Sequence, residues 1–324
     1  MSAFEFQLFD PKLDQLSFQT RKGETRVGEH LSQQPLATAK YVLLGVSENA
    51  GPQANLGRQG SENAFKAFTK VFFNSQHYEG SSTDQMAYLG LIQQIKQAAD
   101  QTEASAFVEQ LDALLLATLN KYIGPGQIPI VVGGGHNNAL ALMRWAAQRG
   151  QLSVVNIDAH ADLRPTDQRH SGNSFSFALQ EALLVQYGIF GLHEAFNNSF
   201  IRSQLSLPQV THRFFEDYLQ GPQQLHDDVL SFVQQQHHAV GIEIDMDAIA
   251  LMPSSAFSPS GWQLDQMRAL LLKLGQVSPQ IAYLNLTEAA PNDEKEALIV
   301  GKALTYLVRD FIKKGSEEPL SINL

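Results

Sequence analysis

Short runs of β-branched and apolar residues alternate along this chain with longer segments of helical periodicity. This alternation is typical of a parallel sheet with helices on both faces, because parallel strands are buried on both sides and need long crossovers. The pattern predicts strands at 41–46, 87–91, 128–132, 153–157, 186–192, 239–244 and 281–286. It predicts helices at 61–73, 104–122, 137–149, 174–185, 222–236, 263–275 and 293–314. We therefore expect an α/β fold.

The chain has 324 residues, of which 44% are hydrophobic, and it can bury a large core. No linker or repeat divides it, so we expect a single domain over 36–324. Residues 1–35 are polar and weakly periodic, and we expect them to pack on the domain as an N-terminal extension.

Composition and charge limit the possible binding partners of the protein and its cellular location. The net charge of −10 disfavours nucleic acid and anionic membrane surfaces, because both attract basic patches. No apolar run reaches the roughly 18 residues of a membrane span, and the N-terminus lacks the pattern of a secretory signal. The chain has no cysteine, which fits a cytoplasmic location.

Three predicted strands end in residues that commonly bind metals. GGGH occupies 133–136, DAHAD occupies 158–162, and EIDMD occupies 243–247. The carboxyl ends of parallel strands meet at one edge of a sheet, where α/β proteins place ligand sites. Mostly carboxylate ligands with some imidazole suit Mn²⁺, and the absence of cysteine excludes a thiolate zinc site. The candidates, enough for two divalent ions, are His136, Asp158, His160, Asp162, Asp245 and Asp247.

These three motifs, with HSGN at 170–173 and LTEAAP at 286–291, occur in the order and approximate spacing of the ureohydrolase superfamily. The chain resembles that superfamily over roughly 40–314, and the third glycine of GGGH resembles its formimidoylglutamase branch rather than the GGDH of arginase and agmatinase. The resemblance implies an arginase-like, three-layer α/β/α fold around a mainly parallel eight-stranded sheet. It also implies two Mn²⁺ ions per chain and assembly into homo-oligomers.

The resemblance implies two sets of metal ligands that share two carboxylates. The first ion would be bound by His136, Asp158, Asp162 and Asp245, and the second by His160, Asp158, Asp245 and Asp247. The ions would activate a shared water to attack the central carbon of an amidinium or guanidinium group. Asp162 would pass a proton to the leaving nitrogen, and Glu288 would pair with the substrate cation.

The chain departs from arginase at the histidine that shuttles protons. In arginase that histidine follows Ser-Gly-Asn by two residues, whereas this chain has Phe175 there. His170 precedes the motif and is the candidate for this catalytic role, with loop capping as the alternative. Ser171 and Asn173 of the motif are expected to bind substrate.

Arginines near the motifs suggest a substrate with more negative charge than arginine or agmatine. Arg164 stands where arginase has an asparagine that contacts the substrate α-carboxylate, and its planar fork suits a carboxylate. Arg169 and Arg58 are expected to assist, with a surface salt bridge as the alternative for Arg164 and Arg169. Glu194 is expected at the substrate rim.

We therefore expect a dinuclear manganese hydrolase that converts N-formimidoyl-L-glutamate and water to L-glutamate and formamide, a step of histidine degradation. One alternative is a guanidino hydrolase that releases urea. Another is a metal-binding scaffold without turnover, which the missing shuttle histidine suggests.

Overall fold

The computed structural model describes residues 2–10, 16–221, 224–277 and 280–313. Within these residues the strands are β1 Phe4–Leu8, β2 Thr25–Arg26, β3 Tyr41–Ser47, β4 Gln76–His77, β5 Met86–Gln94, β6 Ile128–Val132, β7 Leu152–Ile157, β8 Tyr187–Leu192, β9 Val210–Phe214, β10 Ala239–Asp245 and β11 Ile281–Thr287. The α-helices are α1 Val27–Leu31, α2 Ala50–Ala54, α3 Ala64–Phe72, α4 Gln101–Tyr122, α5 Asn138–Ala147, α6 Ser174–Gln180, α7 Ser199–Gln204, α8 Gln224–Gln235, α9 Leu264–Gln276 and α10 Glu294–Ile312.

One central sheet runs in the order β1-β5-β3-β6-β11-β10-β7-β8-β9. All neighbouring strands are parallel except β1, which pairs antiparallel with β5. Strands β2 and β4 form a separate antiparallel pair.

Alternate residues of the central strands pack into two cores, one on each face of the sheet. In β3, Leu43 joins a core with α3, α8, α9 and α10, while Leu44 joins a core with α4, α5 and α6. This alternation follows from the two-residue period of an extended strand. The expected three-layer α/β/α fold is confirmed.

The described residues place nine strands in the central sheet, where eight were expected. All seven strands predicted from sequence are present, and the two strands that were not predicted, β1 and β9, form its edges. Edge strands are partly exposed and carry polar residues, so they lack the continuous apolar signal of buried strands. Strand β1 comes from the segment expected as an N-terminal extension.

Parts of two predicted segments lie outside the described residues, and the described helices bear on the expectation about membranes. Positions 222–223, at the start of a predicted helix, and 314–324, at the end of the predicted domain, lie outside the described residues. Among the described helices, none has the length and apolar character needed to cross a membrane.

The strands that carry the three motifs are neighbours at the centre of the sheet. The local order is β6, β11, β10, β7, and all four strands run in the same direction. Their carboxyl ends therefore lie side by side, with the motif residues at or just beyond each end.

Candidate metal centre

The first group of predicted ligands surrounds the imidazole of His136. Its Nδ1 lies 3.3 Å from an oxygen of Asp158, 3.0 Å from one of Asp162 and 3.2 Å from one of Asp245. One ring nitrogen can donate at most one hydrogen bond, so it cannot satisfy three carboxylates. The arrangement is instead that of four ligands around a cation.

The second group lies beside the first and shares Asp158 with it. His160 Nδ1 lies 3.5 Å from Asp158 Oδ1 and 3.3 Å from Asp247 Oδ2. Asp158 directs its other oxygen, Oδ2, toward His136. The carboxylate of Asp158 thus faces both groups, as a bridging ligand would.

Asp245 lies in the first group with His136, Asp158 and Asp162, and the expectation that it also binds the second ion stays a prediction. Its Oδ2 faces His136, whereas its Oδ1 accepts a hydrogen bond of 2.8 Å from the backbone N–H of Asp247. That bond closes the turn at the end of β10.

The buried carboxylates of the two groups would be stabilised by nearby positive charge. Burial raises the pKa of Asp245 well above its usual value, and the nearby carboxylates of Asp247 and Asp158 raise it further. Burial and Asp158 likewise raise the pKa of Asp162. No described lysine or arginine forms an ion pair with these four carboxylates. Buried carboxylates without such partners are stabilised by bound cations, so the residues fit divalent metals.

Polar residues behind the ligands hold them in place. Asn156 donates a hydrogen bond of 3.0 Å to Asp158 Oδ2. Glu243 lies 3.5 Å from His136 Nε2 and accepts a hydrogen bond of 2.7 Å from Asn285. Such contacts orient metal ligands. Sequence reasoning missed these three residues, although polar side chains inside buried apolar strands were a usable signal.

The GGGH turn has a specific need for glycine. Gly133 and Gly134 have φ of +95° and +71°, and a Cβ on Gly134 would lie 2.9 Å from a carboxylate oxygen of Glu48. Glu48 is fully buried and accepts the backbone N–H of Gly135 at 2.5 Å. It therefore fixes the loop that presents His136, a role that sequence reasoning did not assign.

Glu288 approaches the centre from the end of β11. Its Oε1 accepts a hydrogen bond of 2.7 Å from the His136 N–H, and burial raises its pKa to about 7. Glu288 and Asp162 have φ of +64° and +50°, which is unusual for residues other than glycine. Backbone strain of this kind concentrates at functional sites.

A cavity of about 210 Å³ opens onto the metal centre. The predicted residues that line it are His160, Asp162, Arg164, Ser171, Asp245, Asp247 and Glu288. Asn55, Phe196 and Asn197 also line it. Phe196 stacks on the His160 ring at 5.4 Å, which limits the orientation of that ligand.

Arg169 does not reach this cavity, contrary to its expected role in substrate binding. Its guanidinium is buried and forms two hydrogen bonds with Asp112, of 2.8 and 3.1 Å. It also donates to Asn173 Oδ1 at 2.8 Å and to the Asn137 carbonyl at 3.0 Å. Asn173 is buried too, and its amide donates to two backbone carbonyls of the loop. Both side chains build the loop and are not available to a substrate.

Arg58 and Glu194 also lie away from the cavity lining. Arg58 donates to Glu296 at 2.8 Å, and this ion pair directs its guanidinium toward α10. Glu194 is exposed, and its carboxylate lies 4.0 Å from Arg202. Arg58 pairs with Glu296, which is distant in sequence, and Glu194 lies near Arg202 in the next helix. Sequence spacing alone did not reveal these pairs.

His170 caps the 3₁₀ turn Ser171–Asn173 and does not line the cavity. Its Nδ1 accepts a hydrogen bond of 3.1 Å from the Gly172 N–H. Burial, aided by Arg164 and Arg169, lowers its pKa to about 4, so the ring is uncharged at neutral pH and can accept that bond. The structure therefore favours the capping alternative.

Substitution of His170 separates capping from proton transfer. We expect His170→Asn to lower kcat by less than tenfold, because asparagine also caps and the ring lies outside the cavity. His170→Ala should cost about 1 kcal/mol of unfolding free energy through loss of the cap. Steady-state kinetics and urea unfolding measure the two effects. A loss of about 10²-fold or more in kcat for a normally folded Asn variant would restore the shuttle role.

The sequence is similar to known proteins of one enzyme family. The model of the arginase family matches residues 39–312. Formimidoylglutamase of Geobacillus thermodenitrificans is 27% identical over 273 residues, covering 82% of this chain and 81% of that protein. Formimidoylglutamase of Aeromonas salmonicida is 26% identical over 287 residues, covering 83% and 86%.

Solved structures share the fold at low identity. Formimidoylglutamase of Bacillus subtilis superposes with a TM-score of 0.76 at 18% identity, covering 92% of this chain and 94% of that one. Formiminoglutamase of Trypanosoma cruzi, solved with Mn²⁺, gives a TM-score of 0.73 at 18% identity, covering 90% and 100%. The chain thus belongs to the arginase family and is a hydrolase that acts on C–N bonds of linear amidines, as its motifs predict.

Proposed function

We propose that this chain hydrolyses N-formimidoyl-L-glutamate to L-glutamate and formamide. The observation that carries the proposal is Arg164, whose side chain lines the same cavity as the metal centre. Its guanidinium is exposed and has no hydrogen bond or ion pair with another described residue, so it is free to bind an anionic group. Similarity to formimidoylglutamases over most of the chain supports the same substrate.

The two ligand groups would hold two Mn²⁺ ions. The oxygen-rich donor set with two imidazoles suits Mn²⁺, and Asp158 is placed to bind both ions. Bound there, such ions lower the pKa of a water molecule to near neutrality and so supply a nucleophile.

The residues of the chain orient the substrate and move the proton. Water oxygen forms a bond with the amidine carbon, and the bond from that carbon to the glutamate nitrogen breaks. Asp162 lines the cavity within reach of the metal ligands, so its carboxylate can take a proton from the water and give it to the leaving nitrogen. Glu288 lines the same cavity and can pair with the amidinium group.

Arg164 and Ser171 would hold the glutamate end of the substrate. The Arg164 side chain packs over Gly172, where an added Cβ would lie 3.1 Å from its Cδ, and this contact limits where its guanidinium can point. Ser171 lines the cavity, and its hydroxyl accepts a hydrogen bond of 3.3 Å from the Asn55 amide. A cationic fork beside a hydroxyl suits a carboxylate.

Replacing Arg164 tests the substrate directly. Arg164→Asn should lower kcat/KM for formimidoylglutamate by about 10- to 150-fold, mostly through KM, because a charge-assisted contact contributes roughly 1.5–3 kcal/mol. Arg164→Lys should recover part of the loss, since an ammonium keeps the charge without the planar fork. Stability and Mn²⁺ content should stay near wild type. Hydrolysis of formimidoylglutamate at the wild-type kcat/KM by Arg164→Asn would remove this residue from the substrate site.

A further inference from the structure

One exposed leucine lies at the mouth of the cavity. Leu56 comes two residues after the end of α2, directly after Asn55, and its side chain lines the cavity. It is 80% exposed, more than any other large hydrophobic side chain of the described residues. Single apolar side chains are common on protein surfaces, so exposure alone assigns no role to Leu56.

The backbone of Leu56 has a conformation that leucine disfavours. Its φ of +59° lies in the left-handed region, where glycine is the usual residue because a Cβ is strained there. The Leu56 N–H donates to the Gln53 carbonyl at 3.1 Å. The Gly57 N–H donates to the Pro52 carbonyl at 2.8 Å, and together these bonds close α2 as a Schellman motif does. The chain thus has an exposed and strained leucine at a position that favours glycine.

Strained residues of this kind concentrate at the cavity. Among the described residues, five other than glycine have a positive φ. Leu56, Asp162 and Glu288 line the cavity, whereas Ala182 and Leu251 do not. Asp162 and Glu288 lie at the metal centre, where strain is expected to accompany function. Leu56 shares their conformation and their cavity.

Neighbouring contacts place Leu56 beside the residues proposed to hold the glutamate end of the substrate. The Asn55 amide donates a hydrogen bond of 3.3 Å to the Ser171 hydroxyl. A Cβ added to Gly172 would lie 3.0 Å from the Asn55 amide nitrogen and 3.1 Å from Arg164 Cδ, so both side chains pack over this glycine. Leu56 follows Asn55 and lines the cavity with Arg164 and Ser171. A substrate whose carboxylate binds Arg164 would therefore have its aliphatic chain within reach of Leu56.

We propose that Leu56 is a specificity-determining residue that packs on the aliphatic chain of the substrate. This inference rests on the proposed function, since formimidoylglutamate has two methylene groups between its α-carbon and its side-chain carboxylate. Contact with these groups removes apolar surface of both partners from water and so strengthens binding. Glycine would close α2 with less strain but would make no such contact. Substrate binding thus accounts for a leucine at this position.

Steady-state kinetics of two matched leucine variants test the proposal. Leu251 has a similar φ of +63° and is 63% exposed, but it lies outside the cavity lining. Leu56→Gly should lower kcat/KM for formimidoylglutamate by about tenfold, mostly through KM, as loss of partial leucine burial implies. Leu251→Gly should keep wild-type kinetics. Both variants should keep an unfolding midpoint near wild type, because the relieved strain offsets the greater freedom of the unfolded chain.

Two further variants at the same position separate substrate contact from loop structure. Leu56→Met keeps an apolar side chain of similar size and should retain most of kcat/KM. Leu56→Asn tolerates the left-handed conformation but removes the apolar surface, so it should lose as much as Leu56→Gly. Wild-type kinetics in both Leu56→Gly and Leu56→Asn would overturn the proposal, as would an equal loss in Leu251→Gly.

The same variants are also assayed on arginine, which carries an aliphatic chain and a carboxylate as well. A wild type that cleaves arginine rather than formimidoylglutamate would contradict the proposed function. The order of the Leu56 variants on arginine would then still test the contact, with the same outcomes for and against it.

Discussion

Asp158→Asn is expected to lower kcat/KM by on the order of 10³-fold or more, and to reduce bound Mn²⁺ below one ion per chain. The structure gives the reason, because Asp158 is the carboxylate that faces both ligand groups. Metal binding lowers the pKa of water from about 15.7 to about 7, so losing both ions removes most of the nucleophile at neutral pH. Kinetics and metal analysis of the same preparation measure the two effects together.

Asp167→Asn is the matched control, since it removes an exposed carboxylate from the loop that follows Asp162. It should keep wild-type metal content and kinetics. An Asp158→Asn variant that still holds two Mn²⁺ ions and keeps most of its activity would show that the shared carboxylate does not bridge the centre.

Arg169→Met should lower the free energy of unfolding by about 3–5 kcal/mol, because it leaves the buried carboxylate of Asp112 without its partner. The same change releases the Asn173 side chain, so the loop that carries Ser171 should lose order. Urea unfolding measures the stability. The kcat/KM for the substrate, measured well below the unfolding midpoint, reports on the loop.

A double variant separates the effect of the unpaired buried charge on stability from the effect of lost packing. Arg169→Met combined with Asp112→Leu removes both charges and should recover a large part of the lost stability, as replacement of buried ion pairs by apolar residues often does. Recovery of stability without recovery of kcat/KM would show that Arg169 positions the loop. If Arg169→Met alone keeps wild-type stability, the buried pair does not hold this part of the fold.

The metal centre could be predicted because its position follows from strand geometry. His136, Asp158 and Asp245 each lie at or just after the end of a buried parallel strand, and such strand ends meet at one edge of the sheet. Sequence spacing and the resemblance therefore named all six residues that the structure gathers. The orientation of Asp245 was not predictable, since it depends on a hydrogen bond within the turn.

The substrate-side arginines show where prediction from sequence ends. Arg164 and Arg169 lie five residues apart in one loop, yet one lines the cavity and the other is buried against Asp112 in α4. Their roles are set by partners distant in sequence, which local patterns do not contain. Arg58 behaves in the same way through its ion pair with Glu296.

The edge strands were missed for a related reason. Strand β9 alternates partly buried and exposed residues, and β1 buries only Phe4 fully. Neither gives the continuous apolar signal by which the central strands were recognised. Their pairing with β8 and β5 comes from tertiary structure rather than local composition.

The most direct test is turnover by the Mn²⁺-loaded protein on a panel of formimidoylglutamate, arginine, agmatine and shorter guanidino acids. Formamide, glutamate and urea are measured separately, so that the products identify the bond cleaved. We predict the highest kcat/KM for formimidoylglutamate, with formamide and glutamate in equal amounts and no urea. Faster release of urea from a guanidino compound, or two bound Mn²⁺ ions without turnover of any substrate, would contradict the proposed function.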